Sequence, residues 1–450
     1  MNHSLEQYLK LYKENRALLA GISSETLMNC RDEFFCLLQN AGLPDKSWEG
    51  YQKTSINDMF APDLGVNLLG KDLIEGTKRL SCGIDSIKAI KIIVHNDILV
   101  GIHLPKDMTS LPKGLKISSL KEVENQQEHF DRFFQRIREK HDAAIYLNAL
   151  LGVDGVFITV DDNCIIDTPV QIINYAGAPV SMISNRKVYV GLGIKSSLNI
   201  LICDHSINSD DKNINFINGF IDIELDKGSK ISFVEMEETN PVNRRFSNLI
   251  VNQKENSEAV ISSITLMNGT TRNNFYINSE GNHTVTTVNG LEIAKNRSHI
   301  DNMTHIRHKA DSCKSDQLFK YALYDNASGA FEGRITVEKD ARFNEAFQNN
   351  RNIIANEGAK MYSMPQLLIY NDDVKCSHGA TTGQLDANAL YYMRTRGIPL
   401  AVAKSMLMQA FMNDIIQKIG FPSLQERLYH LVERRLNGED ILCGACKFKD

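Results

Sequence analysis

The chain has 450 residues, of which 42% are hydrophobic and 23% charged, enough apolar content to bury a large core and too much for a disordered segment. Its 50 Lys and Arg stand against 55 Asp and Glu, a formal net charge of -5, so the basic surplus that a phosphate backbone selects is missing and nucleic acid is not an expected partner. No apolar run approaches the roughly 20 residues that cross a bilayer, and the nine Cys lack the paired spacing of a secreted disulfide framework, which predicts a cytoplasmic chain with no membrane partner.

The N terminus interleaves Lys, Arg and Glu with apolar residues and does not resemble a secretory leader. Instead, Leu5, Tyr8, Leu9 and Tyr12 recur at spacings of three and four and predict an amphipathic helix. A second helix carries Leu27, Cys30, Phe34, Leu37 and Leu38 on one face and ends near Gly42 and Pro44, with the only tryptophan, Trp48, just beyond. Strands are expected at residues 91–94 and 98–102, followed by one helix over 122–151.

From about residue 153 to 375 the apolar period switches to alternation, as in Ile221, Ile223 and Leu225 and then Ile231 and Phe233. Turn clusters punctuate it at Asp161-Asp162-Asn163, Asp210-Asp211-Lys212, Asp226-Lys227-Gly228, Asn268-Gly269 and Asn289-Gly290. Many short strands with almost no helical pattern between them predict an all-β body, in which a stacked solenoid competes with a sandwich or barrel; no strict repeat decides between them.

Residues 387–396 then read as a helix stopped by Gly397, and Pro399 suits the first turn of the next, whose stripe is Leu400, Ala403, Leu407, Phe411 and Ile415. Ser423 and Glu426 have capping-box spacing at the start of a last helix with Leu424, Leu428, Leu431 and Val432 on its apolar face. Met406, Met408 and Met412 are left over as an adaptable surface for a partner. The expected organisation is therefore a helical and mixed region over 1–150, a β core over 151–382 and a helical domain over 383–450.

The stretch GVNLLGKD, residues 65–72, misses the phosphate-loop pattern at its last position, where Asp72 replaces the hydroxyl that would hold magnesium, so no nucleotide is expected on this chain. Gly191-Leu192-Gly193 lacks the third glycine and following helix of a dinucleotide fingerprint. Cys376 and His378, in Lys375-Cys376-Ser377-His378, share one side of an extended backbone and offer thiolate and imidazole to iron or zinc, with Lys375 placed to lower the thiol pKa. Cys203 and His205 show the same spacing, so spacing alone does not separate the two pairs. Because a structural zinc or a cuboidal cluster usually takes four protein ligands, a pair needs donors from elsewhere. His305 and His308 read as structural, and Cys443 with Cys446 as a weak redox or metal pair near the end of the sequence.

The stretch MPQLLIYNDDVKCSHGATTGQLDANALYYMRTRGI, residues 364–398, closely resembles the signature of the SufD branch of the SufB/SufD family, with Asp301, His308, Cys313, Ser315, Gln317, FEGRITV at 331–337 and Gln348-Asn-Asn-Arg-Asn352 at the family's offsets. The resemblance is strongest over about 300–415, and His378-Gly379-Ala380 departs from the His-Glu-Ala of SufB-like chains. It implies a mainly β fold, a right-handed parallel β-helix flanked by N-terminal and C-terminal helical regions. It also implies a non-enzymatic scaffold of the SUF system for iron-sulfur cluster assembly, joined to a SufB-like subunit and, through the C-terminal helices, to the SufC ATPase. Cys376 and His378 would then lie at the SufB interface, where a nascent cluster is the cargo. A structural β-helix homo-oligomer or homodimer without a cluster role remains the alternative.

Overall fold

The computed structural model describes residues 3–71, 80–81, 87–123, 127–206, 212–437 and 447–448. Its body begins where the apolar period changes. The strands Val156–Val160, Lys187–Leu192, Asn215–Leu225, Arg244–Gln253, Thr270–Ser279, His299–His308, Ser328–Val337 and Lys360–Ile369 lie side by side in one sheet. Val170–Ala176, Ser197–Ser206, Lys230–Glu238, Glu258–Met267, Val285–Ala294, Lys314–Leu323, Glu345–Ile354 and Lys375–Gly383 form a second. From Lys187 onward successive strands alternate between the sheets and all these neighbours are parallel, so the chain winds as a β-helix rather than a sandwich or barrel. Lys375, for example, lies in register on Glu345, 30 residues earlier.

The alternation explains the winding. Ile221, Ile223 and Leu225 from one sheet and Ile231 and Phe233 from the other meet in the space between the sheets, where burying each side chain contributes about 1.5–3 kcal/mol. The Asp161-Asp162-Asn163 and Asp226-Lys227-Gly228 clusters turn coil corners, with Asn163 and Gly228 in the left-handed region at φ 59 and 68. Asn289-Gly290, expected as a turn, instead lies inside the strand Val285–Ala294. Gly290 is there because a Cβ would come within 2.0 Å of the Phe319 ring stacked upon it. Asp210 and Asp211 lie outside the described residues.

Part of the interior is polar. Arg186 joins Asp204 and Glu235, while Arg245 reaches Asp204 at 3.1 Å, Glu235 at 3.8 Å and Glu237 at 3.6 Å, all of them buried. Two guanidinium groups thus serve three carboxyls, and Glu292 is a fourth; burial pushes Glu237 and Glu292 up to about 7.

One end of the solenoid is closed by antiparallel strands, Ile98–His103 against Ile90–His95 and Leu115–Ser119 against Val156–Val160. The first sheet's outer face is covered by the helices His3–Ala20, Glu25–Gln39, Gln127–Lys140 and Ala143–Leu151, whose apolar stripes, including Leu5, Tyr8, Leu9, Tyr12 and Phe34, join Tyr189, Phe220 and Ile250 in one cluster. The single helix expected over 122–151 is interrupted: His141 takes φ 51 and the Asp142 side chain caps the N-terminus of Ala143–Leu151.

The second sheet's outer face carries the helices Leu400–Ile416 and Pro422–Leu436. Met408 and Met412 are buried there with Ile415 against Val234, Met236 and Leu291, and only Met406 of the three methionines stays exposed, which corrects their expected role as a partner surface. The packed stripe is thus Ala403, Met408, Met412 and Ile415, rotated from the expected one, because Leu400 faces solvent and Leu407 and Phe411 lie at its margin. Pro399 is the N-cap rather than a first-turn residue. The Ser423 capping box does not form, since Phe421 is the N-cap and Pro422 opens the helix with its fixed φ. Lys320, rooted in the sheet, ties the helix Leu400–Ile416 down by donating to the Phe411 carbonyl and to Asp414, each at 2.6 Å.

At the other end no further coil follows among the described residues. Lys360–Ile369 and Lys375–Gly383 each have a sheet neighbour on one side only among the described residues.

Candidate functional site

The strand Lys375–Gly383 places Cys376 on Ala346 and His378 on Gln348. Ala346 belongs to the interior with Ile335 and Val337, and the Cys376 side chain packs against that cluster. Gln348 also points inward, since a Cβ on Gly333 of the facing sheet would meet its amide. Cys376 and His378 therefore project together between the sheets, on the last coil, where Cys376 is half-buried and His378 exposed. Beneath His378, the Gln348 amide is buried with no hydrogen-bond partner for either its nitrogen or its oxygen.

Burial pushes the Cys376 thiol up, so it is a neutral thiol that a metal must deprotonate. Lys375 does not lower it: its ammonium lies 3.4 Å from Glu345, on the opposite side of the strand. No group of three or more His, Cys, Asp or Glu able to hold a metal ion occurs among the described residues, so a metal or cluster bound at this pair would have to take its remaining ligands from a second molecule or from solvent.

The other candidates are placed elsewhere. Cys203 and His205 are buried, with 0% and 3% exposure, in the middle of the second sheet. His305 and His308 face opposite sides of one strand, bonded to Thr336 at 3.0 Å and Ser315 at 2.9 Å, and burial pushes both down to about 4. Gly65 and Val66 of GVNLLGKD pair with Met182 and Ile183 as a strand, while Asp72, Cys443 and Cys446 lie outside the described residues.

The structure adds residues that pattern reading passed over. Phe343, Phe347, Tyr362, Met364, Leu368 and Tyr370 are exposed apolar side chains around the last coils. The strand Lys375–Gly383 leads within three residues into the helix Ala387–Thr395, which buries none of its side chains and exposes Tyr391 and Tyr392 by 73% and 60%. Phe343, an aromatic within a turn-like Asp-Ala-Arg-Phe-Asn run, was the one signal available beforehand.

Residues 174–411 match the family model described as the SUF system FeS cluster assembly SufBD core domain, and residues 2–172 match the SufBD protein N-terminal region. The iron-sulfur cluster assembly protein SufD of Escherichia coli is 27% identical over 237 residues, 53% of this chain and 56% of that protein. A SufBD family protein of Synechocystis is 23% identical over 443 residues, 96% of each chain. One from Mycobacterium bovis is 32% identical over 155 residues, 33% of this chain and 39% of its own. With the core model covering more than half of the sequence and the β-helix in place, this chain belongs to the SufBD family of iron-sulfur cluster assembly proteins.

Proposed function

We propose that this chain is the SufD-type scaffold subunit of a cytoplasmic SUF complex, pairing with a SufB-like chain at the coil end that carries Cys376 and His378. The observation that carries this reading is the two-donor set on an uncovered final coil. Edge strands need partners for their free N–H and C=O groups, and an incomplete donor set needs further ligands. One neighbour satisfies both needs at once. The nascent cluster is cargo built at the shared boundary, not a resident group of this chain.

The ATPase partner is assigned to the helical domain, 383–450, following a β core over 151–382 and an N-terminal region over 1–150. Its exposed large apolar side chains are Tyr391, Tyr392, Leu400, Val402, Met406 and Tyr429, which suit a protein partner. Nucleotide hydrolysis belongs to that partner, and this chain acts as a scaffold rather than an enzyme. The unpaired coil edges also fit a homodimer of this chain, the second reading.

Affinity purification of the tagged chain from its native cytosol tests the assignment. A SufB-like chain and an ATPase should co-elute, and a version ending at residue 382 should lose the ATPase. A stable homodimer with neither partner would favour the second reading. Undiminished ATPase binding by the shortened chain would remove the helical domain from its role.

A further inference from the structure

The solenoid turns one of its corners the same way in coil after coil. Asn163, Lys195, Gly228, Asn256, His283, Ser312 and Phe343 all take φ between 54 and 68. Each N–H donates to the carbonyl just before the equivalent residue of the next coil: Asn163 to Ile194, Lys195 to Lys227, and so on to Ser312 with Arg342 and Phe343 with Asp373, at 2.7–3.0 Å. This corner ladder imposes the left-handed conformation whatever the side chain. Six of the positions carry glycine or a polar residue, and Asn in particular tolerates that region. Phe343 is the exception, since a bulky side chain crowds the following carbonyl there.

The fold does not need this ring. Phe343 is 65% exposed, so it recovers little burial in exchange for the strain. The corner is held instead by Asn344, whose side chain accepts from the Cys313 N–H at 2.8 Å and donates to the Ala310 carbonyl at 3.1 Å. An unfavourable backbone conformation kept for an exposed aromatic points to use outside the chain. Phe343 lies one coil, about 4.8 Å, from the free edges, on the same coil as the exposed Phe347.

We propose that Phe343 is an anchor that inserts into the partner solenoid docked on the last coil. The inference rests on the scaffold reading and names a residue that reading does not require. The occupant is a second SufBD-type chain because only another stack of parallel coils presents edge strands at matching spacing to both Lys360–Ile369 and Lys375–Gly383. An aromatic side chain that becomes buried on docking is of the kind that carries a large share of interface affinity.

The test uses full-length Phe343→Gly and Phe343→Asn with the SufB-like chain and the ATPase. Both variants relieve the backbone, so the isolated chain should melt at the same temperature or up to about 2 °C higher. The Kd for the SufB-like chain should rise at least about tenfold, with ATPase binding unchanged. Wild-type binding to the SufB-like chain that the variants leave intact overturns this inference alone, and a wild-type chain that binds no SufB-like partner overturns the scaffold reading with it. A Tm fall of several degrees would make the ring structural and also overturn it. Loss of self-association with an unchanged heteromeric Kd would do the same, transferring the anchor to a second copy of this chain.

Discussion

Cys203 with His205 and Cys376 with His378 have the same spacing, on strands of the same sheet, and the fold gives them opposite fates. The first pair sits on Ser197–Ser206, hydrogen-bonded on both sides by Val170–Ala176 and Lys230–Glu238. Its side chains lie on the sheet's outer face: the Cys203 thiol accepts from Gln171 at 3.7 Å and the His205 ring lies 3.9 Å from Glu238. The second pair faces the interior on a strand with one neighbour, at the end of the stack. Strand spacing decides that two donors share a side; position in the stack decides whether anything can reach them.

The comparison breaks first in the interior. Arg245→Met removes the charge that faces Asp204, Glu235 and Glu237, and should cost about 3–5 kcal/mol in denaturant unfolding, the scale for a buried pair deprived of one partner. A loss below about 1 kcal/mol would mean that those carboxyls are already neutral. A smaller contrast separates the cysteines. Cys203→Ser places a hydroxyl in a fully buried, largely apolar setting and should cost roughly 1–3 kcal/mol, whereas Cys376→Ser at the half-buried terminal position should cost under about 1 kcal/mol. Equal losses would erase the distinction between the two sites.

Smaller again is the effect of pH. Glu237 and Glu292 titrate at about 7 when folded against an ordinary value of 4.5, so the folded chain binds more protons than the unfolded one between those values. Their contribution is greatest in acid and is lost as pH rises through about 7. His305 and His308, pushed down to about 4 from 6.5, work in the opposite sense below pH 6.5. From about pH 6.5 to 7 the carboxyls act without that opposition, so Tm should fall over this window, until Lys187, pushed by burial down to about 7 from 10.5, begins to work against them. The Glu237→Gln, Glu292→Gln double variant should flatten the fall, leaving the part due to Asp97 and Asp222, whose burial also raises them. A double variant with the wild-type slope would show that the two carboxyls do not carry it.

Much of this arrangement was legible beforehand. Alternation at Ile221, Ile223 and Leu225 marked the strands, and the stripes of Leu5, Tyr8, Leu9 and Tyr12 and of Leu424, Leu428, Leu431 and Val432 marked buried helix faces. The solenoid itself was not legible from pattern, because coils related by 26 to 33 residues in their register repeat geometry rather than residues: the corner positions include Asn256, His283 and Ser312. The resemblance to a known family supplied that step. Met408 and Met412 were misjudged because apolar residues are spread around the helix Leu400–Ile416 and not confined to one stripe, so its periodicity does not say which face meets the sheet. The Cys376 and His378 pair was singled out by spacing, but its accessibility depends on being last in the stack, which no local pattern encodes.

The most direct test of the account is the iron and acid-labile sulfide content of the anaerobically isolated complex carrying His378→Ala. Because His378 is exposed on the final strand, the substitution should cost under roughly 1 kcal/mol and leave the isolated chain's Tm within a few degrees of wild type, with both partners retained. Iron and sulfide should nevertheless fall clearly below the wild-type level, since the proposed site would lose one of its two donors. Wild-type iron and sulfide in that variant would contradict the account, and loss of the partners or of several degrees in Tm would show that the motif holds the structure rather than the cargo.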